Sequence, residues 1–308
     1  MKKYTRPAIT GLILIIVIGL IFVAARSLKS VQQANGSVIQ VVAGENFWGS
    51  LVSQIGGTKV KVDSIVSDPN ADPHEYESNN ADAREFATAN YVILNGAGYD
   101  SWGDKLVAAN PNPNRTVLNV ANLLGKKNGD NPHFWYNPSY VNTVIVQMEQ
   151  NLAKLDPNSA TYYEQNLVKL QSALQTYQDR IKTIKQNYSG TKVAATEDIF
   201  QYLANAAGLD LVSPPAFIQA VAEGNDPPTD SVVQFQQQLQ SGQVRLLVYN
   251  EQTVTPLTNN MKILATQQNI PIVGITETIQ PPGTSFQDWM NSQVIDLQNA
   301  LNAKQLGQ

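Results

Sequence analysis

The sequence predicts an α/β fold of two lobes, each with a mainly parallel sheet flanked by helices, joined by one long rigid helix. Three observations support this prediction. Short apolar runs alternate with helical patterns in residues 38–95, the alternation returns after residue 190, and one long helical pattern lies between them. Strands separated by helices are typical of parallel sheets, whose ligands bind beyond the carboxyl ends of the strands. We therefore expect a binding cleft between the two lobes.

Residues 1–37 precede this fold as a signal or anchor segment and a polar linker. Lys2, Lys3 and Arg6 come before an uncharged apolar stretch at 7–25. As a helix rising about 1.5 Å per residue, this stretch nearly spans a hydrocarbon core of about 30 Å. It also ends in Val-Ala-Ala, a pattern compatible with signal peptidase cleavage. A retained transmembrane anchor and a cleaved signal both stay open, and in either case the remaining chain is expected to be exported, held at the cell surface or secreted.

The composition restricts the chemistry of any metal site. The chain contains no cysteine, so we expect no disulfides, no thiolate ligands and no lipid-modified cysteine that could tether the protein. A metal would be bound by nitrogen and oxygen. Without residues 1–25, 18 basic residues (21 minus 3) face 25 acidic ones, which gives a net charge of -7. This charge attracts cations weakly and gives no indication of a nucleic acid partner.

The first lobe is predicted to occupy residues 38–158. Its strands are expected at 38–43, 59–66 and 91–95, with helices at 47–55 and 81–89. The glycine cluster Asn-Gly-Ala-Gly-Tyr-Asp at 95–100 lacks the spacing of a dinucleotide fingerprint and has no lysine for phosphate. We interpret it as a tight turn.

A single amphipathic helix is predicted at residues 159–188, within a connecting segment at 159–189. Its apolar residues recur at alternating steps of four and three: Tyr163, Leu167, Leu170, Leu174, Tyr177, Ile181, Ile184 and Tyr188. A coiled-coil dimer would use the same pattern. Because only one such segment exists, we expect the helix to pack along its own chain, and we expect a monomer.

The second lobe is predicted to occupy residues 190–308. Strands are expected at 192–196, 210–212, 244–250 and 270–276, and helices at 199–207, 231–240 and 255–268.

The chain has only two histidines, and both lie in similar surroundings. His74 lies in Asp-Pro-His-Glu-Tyr-Glu at 72–77, and His133 lies in Asn-Pro-His-Phe-Trp at 131–135. A histidine after a proline can be an ordinary hydrogen-bonding loop residue, but the repeated context indicates that both rings serve one task. Neutral imidazole is the commonest metal ligand, and we expect metal binding to weaken as the pH falls through about 6.5.

Two glutamates follow apolar strands of the second lobe and could complete a metal site. Glu197 comes after the strand at 192–196, and Glu277 follows the strand at 270–276. A single acid at such a position is often a helix cap or a solvated turn, and Asp198 in particular could cap the next helix.

These four segments resemble the metal-ligand segments of the TroA/ZnuA-like solute-binding proteins of zinc and manganese ABC importers. The resemblance covers residues 38–303 and includes Glu-Asp-Ile-Phe-Gln-Tyr at 197–202 and Ile-Thr-Glu-Thr-Ile at 275–279. It implies that His74, His133, Glu197 and Glu277 are the metal ligands and that a membrane permease is the partner. It also implies two four-stranded lobes joined by one rigid helix.

The chain departs from this family in ways that leave the metal open. It lacks the third histidine, the histidine-rich loop and the lipid-anchoring cysteine found in many members. A site of two nitrogens and two carboxylates favours Mn²⁺, whereas Zn²⁺ binds more tightly at almost any such site. Both ions stay open as the transported ligand.

Two other functions are weighed against metal capture. A metal-dependent hydrolase would need an open coordination position and a base, for which Glu75 or Asp198 could serve. A surface adhesin would use the two-lobed body as a contact module.

Overall fold

The computed structural model describes residues 38–70 and 73–303 of the chain. From Ile39 onward the chain forms one compact unit. The predicted anchor and linker at 1–37 lie outside the described residues. In the described part, every helix is too short or too polar to cross a bilayer.

The first lobe is built on a four-stranded parallel sheet with the strand order β2-β1-β3-β4. Its strands are β1 (Ile39–Glu45), β2 (Val60–Val66), β3 (Tyr91–Leu94) and β4 (Thr116–Asn119). Its helices are α1 (Asn46–Gly56), α2 (Asn80–Thr88), α3 (Ser101–Ala109), α4 (Val120–Leu123) and α5 (Pro138–Leu155). All four residues of β3 are buried, as expected for an inner strand covered by helices on both faces.

Local sequence signals set the starts of two of these helices. Asn79 caps α2 and forms a capping box with Asp82. Asn137 caps α5, and Pro138 occupies its first turn, where no backbone N–H is needed.

The long helix α6 (Ala160–Tyr188) connects the two lobes. Its buried residues are Tyr163, Leu167, Leu170, Leu174, Tyr177, Ile181 and Ile184. This face contacts α1 and α5 of the first lobe and the last helix of the chain, α11 (Phe286–Asn302). The prediction that this face packs along the same chain is therefore confirmed.

The second lobe has a four-stranded parallel sheet with the order β6-β5-β7-β8. Its strands are β5 (Lys192–Ala195), β6 (Asp210–Leu211), β7 (Leu247–Asn250) and β8 (Ile272–Ile275). Besides α11, its helices are α7 (Gln201–Ala206), α8 (Pro215–Ala222), α9 (Thr229–Gln240) and α10 (Pro256–Gln267). Two four-stranded lobes and a long helix confirm the predicted fold class.

Some predicted boundaries were wrong. The strand predicted to begin at residue 270 begins at Ile272, because Pro271 has no N–H to donate to the ladder. The strand predicted from residue 244 begins at Leu247, although Arg245 and Leu246 already make backbone hydrogen bonds to β5. The helix predicted at 199–207 starts as a 3-10 turn, Asp198–Phe200, before α7.

The main hydrophobic core is continuous between the two sheets. It includes Val41 and Ile93 of the first sheet, Val248 and Val273 of the second, and the buried face of α6. Polar contacts also join the lobes. For example, the Tyr136 hydroxyl donates to the Thr276 carbonyl at 2.8 Å. These contacts hold the carboxyl ends of the two sheets close together.

Candidate metal centre

Four side chains meet between the lobes, one from each predicted ligand segment. His74 lies in the 3-10 turn Pro73–Glu75 after β2, and His133 directly precedes the 3-10 turn Phe134–Tyr136. Glu197 follows β5, and Glu277 follows β8. One ligand atom of each lies within 4.8 Å of those of the other three.

The distances between these atoms fit a common ion. His74 Nε2 lies 3.4 Å from Glu277 Oε2 and 3.9 Å from Glu197 Oε1. His133 Nε2 lies 3.7 and 4.0 Å from the same two oxygens. Ligand atoms about 2.0–2.2 Å from one tetrahedral ion are about 3.3–3.6 Å apart. A small contraction of this arrangement would therefore place all four around one ion.

Two of the facing atoms show why the site suits a cation. His133 Nε2 and Glu197 Oε1 are buried and have no hydrogen bond partner among the described residues. A buried polar atom without a partner is costly, and a shared metal ion would satisfy both.

The His133 ring is oriented from behind by two neighbours. Its Nδ1 lies 3.0 Å from Asn131 Oδ1 and 3.2 Å from Asp198 Oδ1. Both neighbours are acceptors, so in the neutral ring Nδ1 carries the proton and Nε2 keeps the lone pair that a metal needs. Asp198 lies inside the 3-10 turn, whose N-cap is Glu197, and the N-cap of α7 is Phe200, so the interpretation of Asp198 as a cap was wrong.

The two carboxylates are held by an amide that the sequence analysis missed. The Asn250 side chain donates to Glu197 Oε2 at 2.6 Å and to Glu277 Oε1 at 2.8 Å. All three side chains are almost completely buried. An asparagine at the end of an apolar strand is not a distinctive sequence pattern. Only the spatial order of the strands shows that Asn250 lies between the two glutamates.

Tyr99 contributes a further contact from the first lobe. Its hydroxyl donates to Glu277 Oε2 at 2.7 Å, and its ring packs edge-on against His74. The preceding turn is tight, with positive φ at Gly96, Ala97 and Gly98. The carboxylate of Asp100 accepts the N–H groups of Asn95 and Gly96 and so holds this turn in place. The tight turn predicted at 95–100 is confirmed.

Burial and mutual charge set the protonation of the centre. Burial lowers the pKa of His133, but the carboxylates of Asp198 and Glu277 outweigh it and raise that pKa to about 10. Burial also tends to lower the pKa of His74. The charge of Glu277 more than offsets this effect, so the pKa of His74 is raised above its usual value. Burial raises the pKa of Glu277, but the two imidazoles hold it well below its usual value. Burial and the Glu277 charge raise the pKa of Glu197 to about 7.

A cleft of about 970 Å³ leads to this centre. Both lobes line it, and His74, Tyr99 and Asp198 form part of its floor. Further acidic side chains lie around it: Glu75, Asp130, Glu223 and Asp226. Acidic walls with few compensating cations raise the local concentration of cations. Glu75, the other candidate base, is exposed at this wall.

Comparison with known proteins gives consistent matches along nearly the whole body. The family described as "Zinc-uptake complex component A periplasmic" matches residues 41–300. A manganese ABC transporter substrate-binding lipoprotein from Streptococcus mitis is 25% identical over 93% of this chain and 96% of its own length. A metal ABC transporter substrate-binding lipoprotein from Lactococcus lactis is 26% identical over 88% of each chain.

A solved structure shares the fold. The solute-binding protein FpvC from Pseudomonas aeruginosa, solved in complex with Mn²⁺, superposes with a TM-score of 0.70 and 19% identity. The alignment covers 85% of this chain and 98% of that one.

Proposed function

The chain belongs to the zinc-uptake complex component A family, and from that premise we propose that it captures a divalent transition metal outside the cytoplasm and delivers it to an ABC transporter permease. Members of this family are binding components of uptake complexes and not enzymes, so the hydrolase alternative is set aside. The observation that carries the proposal is the meeting of His74, His133, Glu197 and Glu277 in one cluster, in which all but His74 are buried.

The proposed cargo is Mn²⁺ or Zn²⁺. Two imidazole nitrogens and two carboxylate oxygens suit both ions, and the relatives described above are named for manganese or for metal in general. The acidic cleft supports cation capture by drawing divalent ions toward the site.

In the proposed function, each lobe supplies two of the four metal ligands. In it, residues 38–158 supply the two histidines, residues 190–308 supply the two glutamates, and the segment at 159–189 connects them. We propose that the protein acts as a monomer at the cell surface, attached or released according to the fate of residues 1–37. Among the described residues, the exposed large apolar side chains come from separate elements and do not by themselves mark a contact surface for the adhesin alternative.

Removal of either histidine tests the four-ligand site. His74→Ala and His133→Ala each leave an incomplete set of ligands around an ion that has lost its water. In each variant the Kd for Mn²⁺ and the Kd for Zn²⁺ should rise by at least about 10- to 100-fold. Removal of a group that only holds a metal ligand in place already has an effect of this size. Competition titration with a chromogenic chelator measures this change for Mn²⁺ and Zn²⁺.

Glu75→Gln is the matched control, because Glu75 neighbours His74 in the chain but is exposed at the cleft wall. Its Kd should rise by at most about 2-fold, because a single solvent-exposed charge at the cleft wall is screened by salt. If His74→Ala and His133→Ala bound both ions as tightly as the parent, the ligand assignment would be wrong.

A further inference from the structure

Asn250 occupies the one strand end that lies between the two glutamates. In the second sheet, β7 lies between β5 and β8. Glu197 follows β5, Glu277 follows β8, and Asn250 is the last residue of β7, paired in register with Ile275. The parallel order of the strands therefore brings the Asn250 side chain between both carboxylates.

The orientation of the Asn250 amide is fixed by its partners. Its Oδ1 accepts the Gln252 backbone N–H at 3.0 Å. A backbone N–H can only donate and a carboxylate can only accept, so the NH₂ group must face the glutamates. Its two shortest contacts, 2.6 Å to Glu197 Oε2 and 2.8 Å to Glu277 Oε1, use one oxygen of each.

The amide thus divides the four carboxylate oxygens into two sets. Glu197 Oε2 and Glu277 Oε1 bind Asn250, while Glu197 Oε1 and Glu277 Oε2 face the two histidines. Glu277 Oε2 also accepts the Tyr99 hydroxyl, which leaves its second lone pair for the ion. On the basis of the proposed function, we infer that Asn250 restricts each glutamate to one metal bond and thereby sets the selectivity between Zn²⁺ and Mn²⁺. To bring its second oxygen to the ion, a glutamate would have to turn away from Asn250, which would stretch or break a short hydrogen bond in a buried setting.

The restriction acts differently on the two ions. Two nitrogens and two single oxygens give four ligands, which is the tetrahedral arrangement that Zn²⁺ adopts at closed protein sites. Mn²⁺ prefers a higher coordination number built from oxygen, which two-atom carboxylate binding would supply. By withholding two oxygens, the amide disfavours Mn²⁺ relative to a site with unrestrained glutamates.

The substitution Asn250→Ala tests this inference. It frees both carboxylates to rotate, so the ratio of the Mn²⁺ Kd to the Zn²⁺ Kd should fall by about 10-fold, the scale seen when groups that hold metal ligands are removed. Visible absorption of the Co²⁺-loaded protein supplies a second readout. The intense bands of four-coordinate Co²⁺ in the parent should weaken in the variant as further oxygens bind.

Asn151→Ala is the control for loss of a buried asparagine. Asn151 donates to the Tyr91 hydroxyl in the first lobe and is not one of the side chains gathered around the four ligands. This variant should lose some stability while keeping both the Kd ratio and the Co²⁺ spectrum.

The outcomes separate the inference from the proposed function. If the parent binds neither ion, the proposed function fails. If the parent binds metal but Asn250→Ala keeps the same Kd ratio and Co²⁺ spectrum, only the role of Asn250 is overturned. X-ray absorption of the Zn²⁺-loaded parent tests the inference even if the variant does not fold: four ligands support it, and five or six overturn it.

Discussion

At the scale of a single residue, the proton on His133 opposes metal binding. Asp198 and Glu277 raise its pKa to about 10, against the burial that lowers it, so the metal-free ring is protonated at neutral pH. A protonated imidazole cannot be a ligand, and the ion must displace this proton. The expectation that metal binding weakens as the pH falls through about 6.5 therefore places this loss of affinity at too low a pH.

We predict that metal binding at pH 8 releases a proton from His133 and that the affinity still rises between pH 7 and pH 9. Calorimetric titration in buffers of different ionisation enthalpy measures the proton count. Asp198→Asn should reduce the release, because it removes the largest influence that raises the pKa of this histidine. An affinity that levels off at pH 7 would contradict the prediction.

The same shift affects the stability of the metal-free protein. The pKa of His133 is higher in the folded state than the value of about 6.5 expected in an unfolded chain. The stabilisation that comes from protonated His133 is complete below about pH 6.5 and is lost as the pH rises through about 10. The metal-free protein should therefore unfold more easily at pH 10 than at pH 7.

Sequence patterns could reveal some of the residues around the site but not others. The two histidines stood out because the chain has no more of them, and the two glutamates because each ends an apolar strand. Asn250 and Tyr99 could not be found in this way, because their role depends on which strands are neighbours. Strand order is set by long-range packing, which no local pattern records.

At the scale of an element, α6 contributes a continuous apolar face of seven buried residues. Leu174 is completely buried in it, whereas Val168 is 59% exposed on the opposite side. Leu174→Ala should lower the free energy of unfolding by about 2–5 kcal/mol through lost burial and the cavity it leaves. Val168→Ala, the matched control, should change it by at most about 0.5 kcal/mol. Urea denaturation measures both, and equal effects would show that this face is not the packed one.

Elements could be predicted where their apolar residues repeat with a clear period along the sequence. The pattern of α6 extends over many turns, and its predicted start at residue 159 differs from the observed Ala160 by one position. Short elements are harder, because four residues hold too few side chains to define a period. The edge strand β4 (Thr116–Asn119), with a polar residue at each end, gave no such signal.

At the scale of the whole molecule, metal binding should stabilise both lobes together. The predicted ligands come from both, and contacts such as Tyr202 to the Asn131 carbonyl cross between them. At a free metal concentration 100 times the Kd, the gain in unfolding free energy is about 2.7 kcal/mol. Thermal scans with and without Mn²⁺ or Zn²⁺ should show one transition that moves upward. His74→Ala, with a Kd about 10- to 100-fold higher, should gain only about 0.4–1.4 kcal/mol at the same concentration, and a shift as large as that of the parent would refute this coupling.

The burial of His133, Glu197 and Glu277 has a consequence for ionic valence. Two carboxylates carry a charge of -2, so with neutral imidazoles a divalent ion balances the charge of the four ligands themselves. A monovalent ion would leave an uncompensated negative charge among them, and the neighbouring Asp198 carboxylate adds to it. Each uncompensated buried charge costs several kcal/mol. The site would therefore reject monovalent ions by charge before their size or preferred geometry matters, and sodium at high concentration outside the cell would not fill it.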